Sequence, residues 1–183
     1  MSCHLHLSPL PVCSCPTPPL PLKYAASPLA RNLPAPIARR CAQGTRQLSG
    51  DSGNGQFASG HGGVAFDNEG NLVVADFGNH RVQVLRYSDG AHVRTIGSAG
   101  SDSGQFKCPS GVAFDAAGHI VVVEYSNHRV QVLRYSDGAH VCTFGSLGSD
   151  NGQFSNPRGG IAIDSDGRIV VADSSNNRVQ VLE

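Results

Sequence analysis

At 183 residues the chain has the length of one ordinary domain, and with 39% apolar residues, 6% aromatics and no Trp its core must be assembled from Val, Ile, Leu and Ala. No stretch reaches the roughly 18 apolar residues of a transmembrane helix, so no membrane segment is expected. A formal net charge of zero hides an asymmetry: residues 1–50 carry five Lys or Arg and no acid, whereas residues 51–183 carry nine against fourteen acids, a balance that disfavours non-specific attraction to nucleic-acid phosphates in the larger part.

In chain order, residues 1–45 come first as a Pro-rich leader. Residues 1–50 hold nine of the eleven prolines, and the run Pro16-Thr17-Pro18-Pro19-Leu20-Pro21 neither continues a helix nor enters a sheet. A disordered or extended segment is expected on composition. Arg31, Arg39, Arg40 and Arg46, with no acid among them, give it the charge of an organellar targeting peptide, although the prolines interrupt the amphipathic helix such peptides use. The cytoplasm is the default location otherwise. Four of the six cysteines (Cys3, Cys13, Cys15, Cys41) lie in residues 1–50. Cys108 and Cys142 occupy different repeat positions, so reduced thiols are expected rather than a disulfide framework.

Residues 46–183 repeat themselves. Gly-Gln-Phe recurs at 55–57, 104–106 and 152–154, and Arg81, Arg129 and Arg178 keep the same 48-to-49-residue period. Asn79–Val93 is identical to Asn127–Val141. A period of this size marks an array of supersecondary units, here about 49–98, 99–146 and 147–183. Within the first unit the strands are Val64–Phe66, Leu72–Ala75, Arg81–Leu85 and His92–Ile96. Asp67-Asn68-Glu69-Gly70 and Ser88-Asp89-Gly90 serve as turns, with a positive φ at Gly90. Leu72–Ala75 is a continuous apolar run, expected of a strand buried on both faces. The second unit gives Val112–Phe114, Ile120–Val123, Val130–Leu133 and His140–Phe144. The third gives Ile161–Ile163, Ile169–Ala172 and Val179–Leu182, without a fourth strand. The fold class is therefore all-β, a partial β-propeller of about three four-stranded antiparallel blades. Thr45-Arg46-Gln47-Leu48 sits where a fourth strand would end.

The stretch Leu72-Val73-Val74-Ala75-Asp76-Phe77-Gly78-Asn79-His80-Arg81-Val82-Gln83-Val84 resembles the NHL repeat; Asn127-His128-Arg129-Val130-Gln131-Val132 repeats it, and Asn176-Asn177-Arg178-Val179-Gln180-Val181 keeps it with the His replaced. The resemblance implies a propeller, commonly of six blades, used as a protein- or RNA-binding platform, often at the end of tripartite-motif ubiquitin ligases. Some relatives are lyases or lactonases with bound metals. A RING is not apparent, because Cys13-Ser14-Cys15 lacks zinc-ligand spacing and the remaining cysteines form no pairs.

In a four-stranded up-and-down blade, the loops between strands 2 and 3 share a face with those between strand 4 and the next strand 1. Binding residues concentrate on loops held by a rigid scaffold. The candidate binding residues are Asp76, Phe77, Asn79, His80 and Arg81 in the first unit, Glu124, Tyr125, Asn127, His128 and Arg129 in the second, and Arg158, Asp173, Asn176 and Arg178 in the third. Each has a structural reading as well. Asp76 with Arg81, and Glu124 with Arg129, can pair across their own loop or reach the next blade, and Asn79 and Asn127 can take the left-handed conformation. Recurrence in every copy favours a role in building the blade. Specificity is then sought where copies differ: His61 and Gly62, Phe77 against Tyr125 and Ser174, Lys107-Cys108 against Asn156, and Arg158. No catalytic constellation, metal set or cofactor motif is apparent: a catalytic zinc needs about three converging ligands, and the third unit offers Asn177 in place of His80 and His128.

The expected partner is a protein, with RNA as the alternative through Arg81, Arg129 and Arg178. A place in a ubiquitin-ligase pathway, or a metal-dependent lyase or hydrolase activity, is less favoured. Because rings of three blades are not formed, the chain is expected either to be a fragment of a longer one or to pair as a homodimer completing a six-bladed ring, with Arg46–Leu48 finishing a blade of the partner.

Overall fold

The computed structural model describes residues 53–58 and 62–183; the expected leader, Thr45–Leu48 and His61 lie outside the described residues. Eleven strands follow in chain order: β1 (Val64–Phe66), β2 (Leu72–Asp76), β3 (Arg81–Leu85), β4 (His92–Ile96), β5 (Pro109–Phe114), β6 (His119–Glu124), β7 (Arg129–Arg134), β8 (His140–Phe144), β9 (Ile161–Ile163), β10 (Ile169–Asp173) and β11 (Arg178–Leu182). They form three antiparallel meanders, β1-β2-β3-β4, β5-β6-β7-β8 and β9-β10-β11, so the third sheet has three strands among the described residues. Equivalent residues occupy equivalent registers: Val74 faces Gln83 as Val122 faces Gln131 and Val171 faces Gln180.

Turn chemistry is equally periodic. At the end of β1, Asp67 Oδ1 accepts the N–H groups of Glu69 and Asn71, and Asp164 Oδ1 does the same for Asp166 and Arg168. Each of these turns closes through a left-handed residue, Gly70, Gly118 or Gly167, at φ between +81° and +85°, where a side chain would be strained.

The first strands of successive sheets lie side by side, β1 against β5 and β5 against β9. There the Gly63 N–H donates to the Ser110 carbonyl at 3.0 Å, and a Cβ on Gly111 would come 3.1 Å from Ile161 Cγ2. Two apolar clusters fill the spaces between blades. Val73, Ala75, Val82, Val84 and Ile96 of the first sheet meet Val112, Ile120, Val122 and Leu133 of the second. The other side of the second sheet (Val121, Val123, Val130, Val132) meets Ile169 and Val171 of the third. Burial therefore depends on neighbours. Every residue from Ile120 to Glu124 is buried, whereas β2 and β10, with the same apolar run, alternate between buried and half-buried. Phe106 and Phe154, the aromatic ends of the Gly-Gln-Phe signature, are fully buried, each burial being worth about 1.5–3 kcal/mol.

The strands exceed their expected bounds chiefly by taking in the charged residues at their ends, such as Asp76, Glu124 and Arg129. The largest difference is β5, which starts at Pro109 rather than Val112. A bulge between Pro109 and Gly111 admits a proline at the strand's first position, where no ladder donor is needed.

Candidate functional site

The loops between strands 2 and 3 do meet the loops that enter each blade, and a buried carboxylate joins them. Glu124 ends β6 with no exposed surface. Its Oε1 accepts Arg129 Nε at 2.6 Å and Gln131 Nε2 at 2.8 Å, and its Oε2 accepts Asn127 Nδ2 at 2.5 Å and the Lys107 N–H at 2.9 Å. Asp76 gathers Asn79, Arg81, Gln83 and the Ala58 N–H in the same way, and Asp173 gathers Asn176, Arg178, Gln180 and the Ser155 N–H. Four donors meet each carboxylate, and one of them carries the neutralising charge.

The arginines are spent on the same task. Arg129 donates its remaining N–H groups to the carbonyls of Ser101, Asp102 and Gln105, and Arg178 to those of Ser149, Asp150 and Gln153. Arg81 reaches Gly53 and Gln56. Burial pushes the Asp173 carboxyl up, but the Ser155 N–H, Asn176 and Arg178 outweigh it and hold the group below its ordinary value near 3.8. The glutamines Gln83, Gln131 and Gln180 were not among the expected site residues. Their signal was recurrence: a polar side chain on an otherwise apolar strand in all three units.

The left-handed residue of each loop is not the asparagine, as expected, but the residue after it: His80, His128 and Asn177, at φ between +52° and +55°. Asn79, Asn127 and Asn176 instead direct their side-chain amides to the buried carboxylates. The turned-out histidines reach forward: His80 Nδ1 accepts the Cys108 N–H, and His128 Nδ1 the Asn156 N–H, both at 3.0 Å. Each bond runs from one blade to the loop entering the next. Both require a ring unprotonated on Nδ1.

What remains on this face is what differs between units. Phe77 and Tyr125, from neighbouring blades, touch at 5.7 Å between ring centroids with planes inclined by 59°, and both are half-buried. Lys107 and Arg158 are exposed, each on the loop entering its blade. His61 lies outside the described residues, and Gly62 is packed so closely that a Cβ would meet the Ala75 carbonyl oxygen at 1.6 Å. No group of three or more His, Cys, Asp or Glu stands close enough to hold a metal among the described residues.

The opposite, short-turn face carries a second contact between blades. Tyr135 donates its hydroxyl to Asp67 Oδ2 at 2.8 Å while Arg94 stacks on its ring at 4.1 Å and donates to its carbonyl. Burial, and then the bond to Asp67, push the Tyr135 phenol up to about 12. A groove of about 540 Å³ beside it is lined by Asp67, Glu69, Arg94, His119 and Arg134.

Three segments, 62–85, 106–133 and 154–182, match the NHL repeat model. No curated protein matches the chain significantly. Among solved structures it is similar to an auxiliary nutrient binding protein from Bacteroides thetaiotaomicron (14% identity, 66% of this chain and 37% of that one, TM-score 0.51) and to a virginiamycin B lyase from Staphylococcus aureus with quinupristin (12%, 68% and 38%, 0.50). A gluconolactonase from Xanthomonas campestris is similar at 23% identity, over 61% and 34%, with a TM-score of 0.47. The chain spans well under half the length of each. For the first two, at these identities, the likeness is one of fold.

Proposed function

We propose that this NHL-repeat protein is a non-catalytic binding module, and that its partner is another protein. The observation that carries the reading is the division of labour on the loop face. The recurring carboxylate–arginine pairs there are bonded into the scaffold, whereas the positions that vary between units present an aromatic pair, Phe77 and Tyr125, together with the loop cations Lys107 and Arg158. Buried carboxylates that each accept four donors, an arginine among them, are poorly placed to act as a general base or metal ligand. Aromatic and Arg side chains on a rigid rim are the usual anchors of a protein interface. The RNA alternative rested on Arg81, Arg129 and Arg178, whose guanidinium groups are committed to buried carboxylates and backbone carbonyls, which disfavours phosphate contacts by them.

Affinity capture with the full chain, compared with a Phe77→Ala/Tyr125→Ala variant of unchanged circular dichroism, tests this. A protein retained by the first and lost by the second is expected. Retention unaffected by the double variant, or RNA as the only material recovered, would overturn the assignment.

A further inference from the structure

The repeat makes each blade two-sided, and the molecule displays both sides of an interface that it also uses internally. The side of the second sheet that packs against the first carries Val112, which is 4% exposed, and the edge-on pair Phe114–Tyr135, with ring centroids 4.8 Å apart. On the first sheet the same positions are Val64, Phe66 and Tyr87. Phe66 and Tyr87 already form the same edge-on pair, at 5.1 Å and 85°, yet Val64 is 60% exposed and Tyr87 56%.

The other side of a blade behaves in parallel. Val82 and Val130 are fully buried against the following blade, whereas their counterpart Val179 is 64% exposed; Val181 is 54% exposed where Val84 and Val132 are at most 6%. The polar contact is repeated as well. Tyr135 donates to Asp67, and the period places Tyr87 on the bare front and Asp164 on the last blade.

We infer that these two bare faces are halves of one interface, and that a second copy of this chain covers them, the front of each first blade on the back of the other copy's third blade. Continuity with the internal interfaces identifies the occupant, because the front face reproduces side chain by side chain a surface that the back face of this same chain is built to take. Such front-to-back contacts are heterologous and either close or propagate. Two copies of the three sheets among the described residues supply six, within the roughly four to eight blades of closed propellers, whereas three copies supply nine, so closure by two copies is the arrangement inferred.

Light scattering after size exclusion on the full chain at micromolar concentration is expected to give twice the monomer mass. Phe66→Asp on the front and Val181→Asp on the back alter exposed side chains and each should weaken association at least about tenfold. An equimolar mixture of the two variants should recover a two-copy species, since one intact front still meets one intact back. Should either variant lose its circular dichroism, Tyr87→Arg and Val179→Asp replace the pair. A wild-type monomer, association that survives in either single variant (front on front, or back on back), or mass that grows steadily with concentration would each overturn the inference.

Discussion

Replacing Arg129 by Met isolates what the buried carboxylate network contributes. The substitution keeps the aliphatic stem but leaves Glu124, with no exposed surface, facing three uncharged donors and no counter-charge. Removing one partner of a buried pair costs about 3–5 kcal/mol. The Arg129 side chain is 15% exposed and the carbonyls of Ser101 and Asp102 lie on an exposed loop, so water relieves part of the loss and the lower end, about 3 kcal/mol, is expected. With a urea slope near 1.5 kcal/mol/M, the midpoint should fall by about 2 M, followed by circular dichroism at fixed protein concentration. Adding Glu124→Leu to Arg129→Met should cost less than the sum of the singles by about 1–3 kcal/mol. Arg178→Met, at a 26% exposed site on the last blade, should cost less, and Arg86→Met, at a solvent-exposed pair, should leave the midpoint essentially unchanged. A shift below about 0.5 M for Arg129→Met, or strict additivity, refutes the account.

Other consequences follow from single contacts. His128→Leu withdraws the acceptor of the Asn156 N–H, whereas His128→Asn sets an acceptor oxygen where Nδ1 stood; a loss of about 1 kcal/mol is expected for Leu, and less for Asn, in thermal denaturation. Gly145→Ala sets a Cβ 2.4 Å from Phe154 at φ +92° and should cost about 2–3 kcal/mol, whereas Gly118→Ala, with open space at φ +81°, should cost only the backbone strain of about 1–2 kcal/mol; equal losses would discount the close approach. Because the folded Asp173 carboxyl lies below its unfolded value near 3.8, its contribution is present above that pH and lost as pH falls further. The urea midpoint should decline in that acid window, and Asp173→Asn should flatten the decline.

The architecture was legible because a fixed period is a global signal that survives errors in any one strand. Val64–Phe66, Arg81–Leu85 and His92–Ile96 stand at the bounds read from residue pattern, and the 48-residue spacing identified the blades before any packing was known. The site was legible as a face but not as a network. Asp76, Asn79 and Arg81 are close in sequence, so their association could be anticipated, but the carbonyls that Arg81 also reaches, at Gly53 and Gln56, lie 28 and 25 residues upstream. His80 was harder still, because its partner is a backbone N–H in the following unit, a group that no side-chain pattern reveals. Gln83 hid within an apolar strand, where only comparison across the three units sets it apart.

The bond from His80 to Cys108 is made again from His128 to Asn156, 28 residues being spanned in both cases. A gene encoding such joints can lengthen or shorten by recombination without inventing a surface, provided that the crossover exchanges whole units. The fifteen residues from Asn79 return letter for letter from Asn127, one whole unit later. Half a unit, by contrast, would strand a histidine without its amide and an arginine without the carbonyls of its entering loop. Copy number is thus the dimension along which this architecture changes most readily.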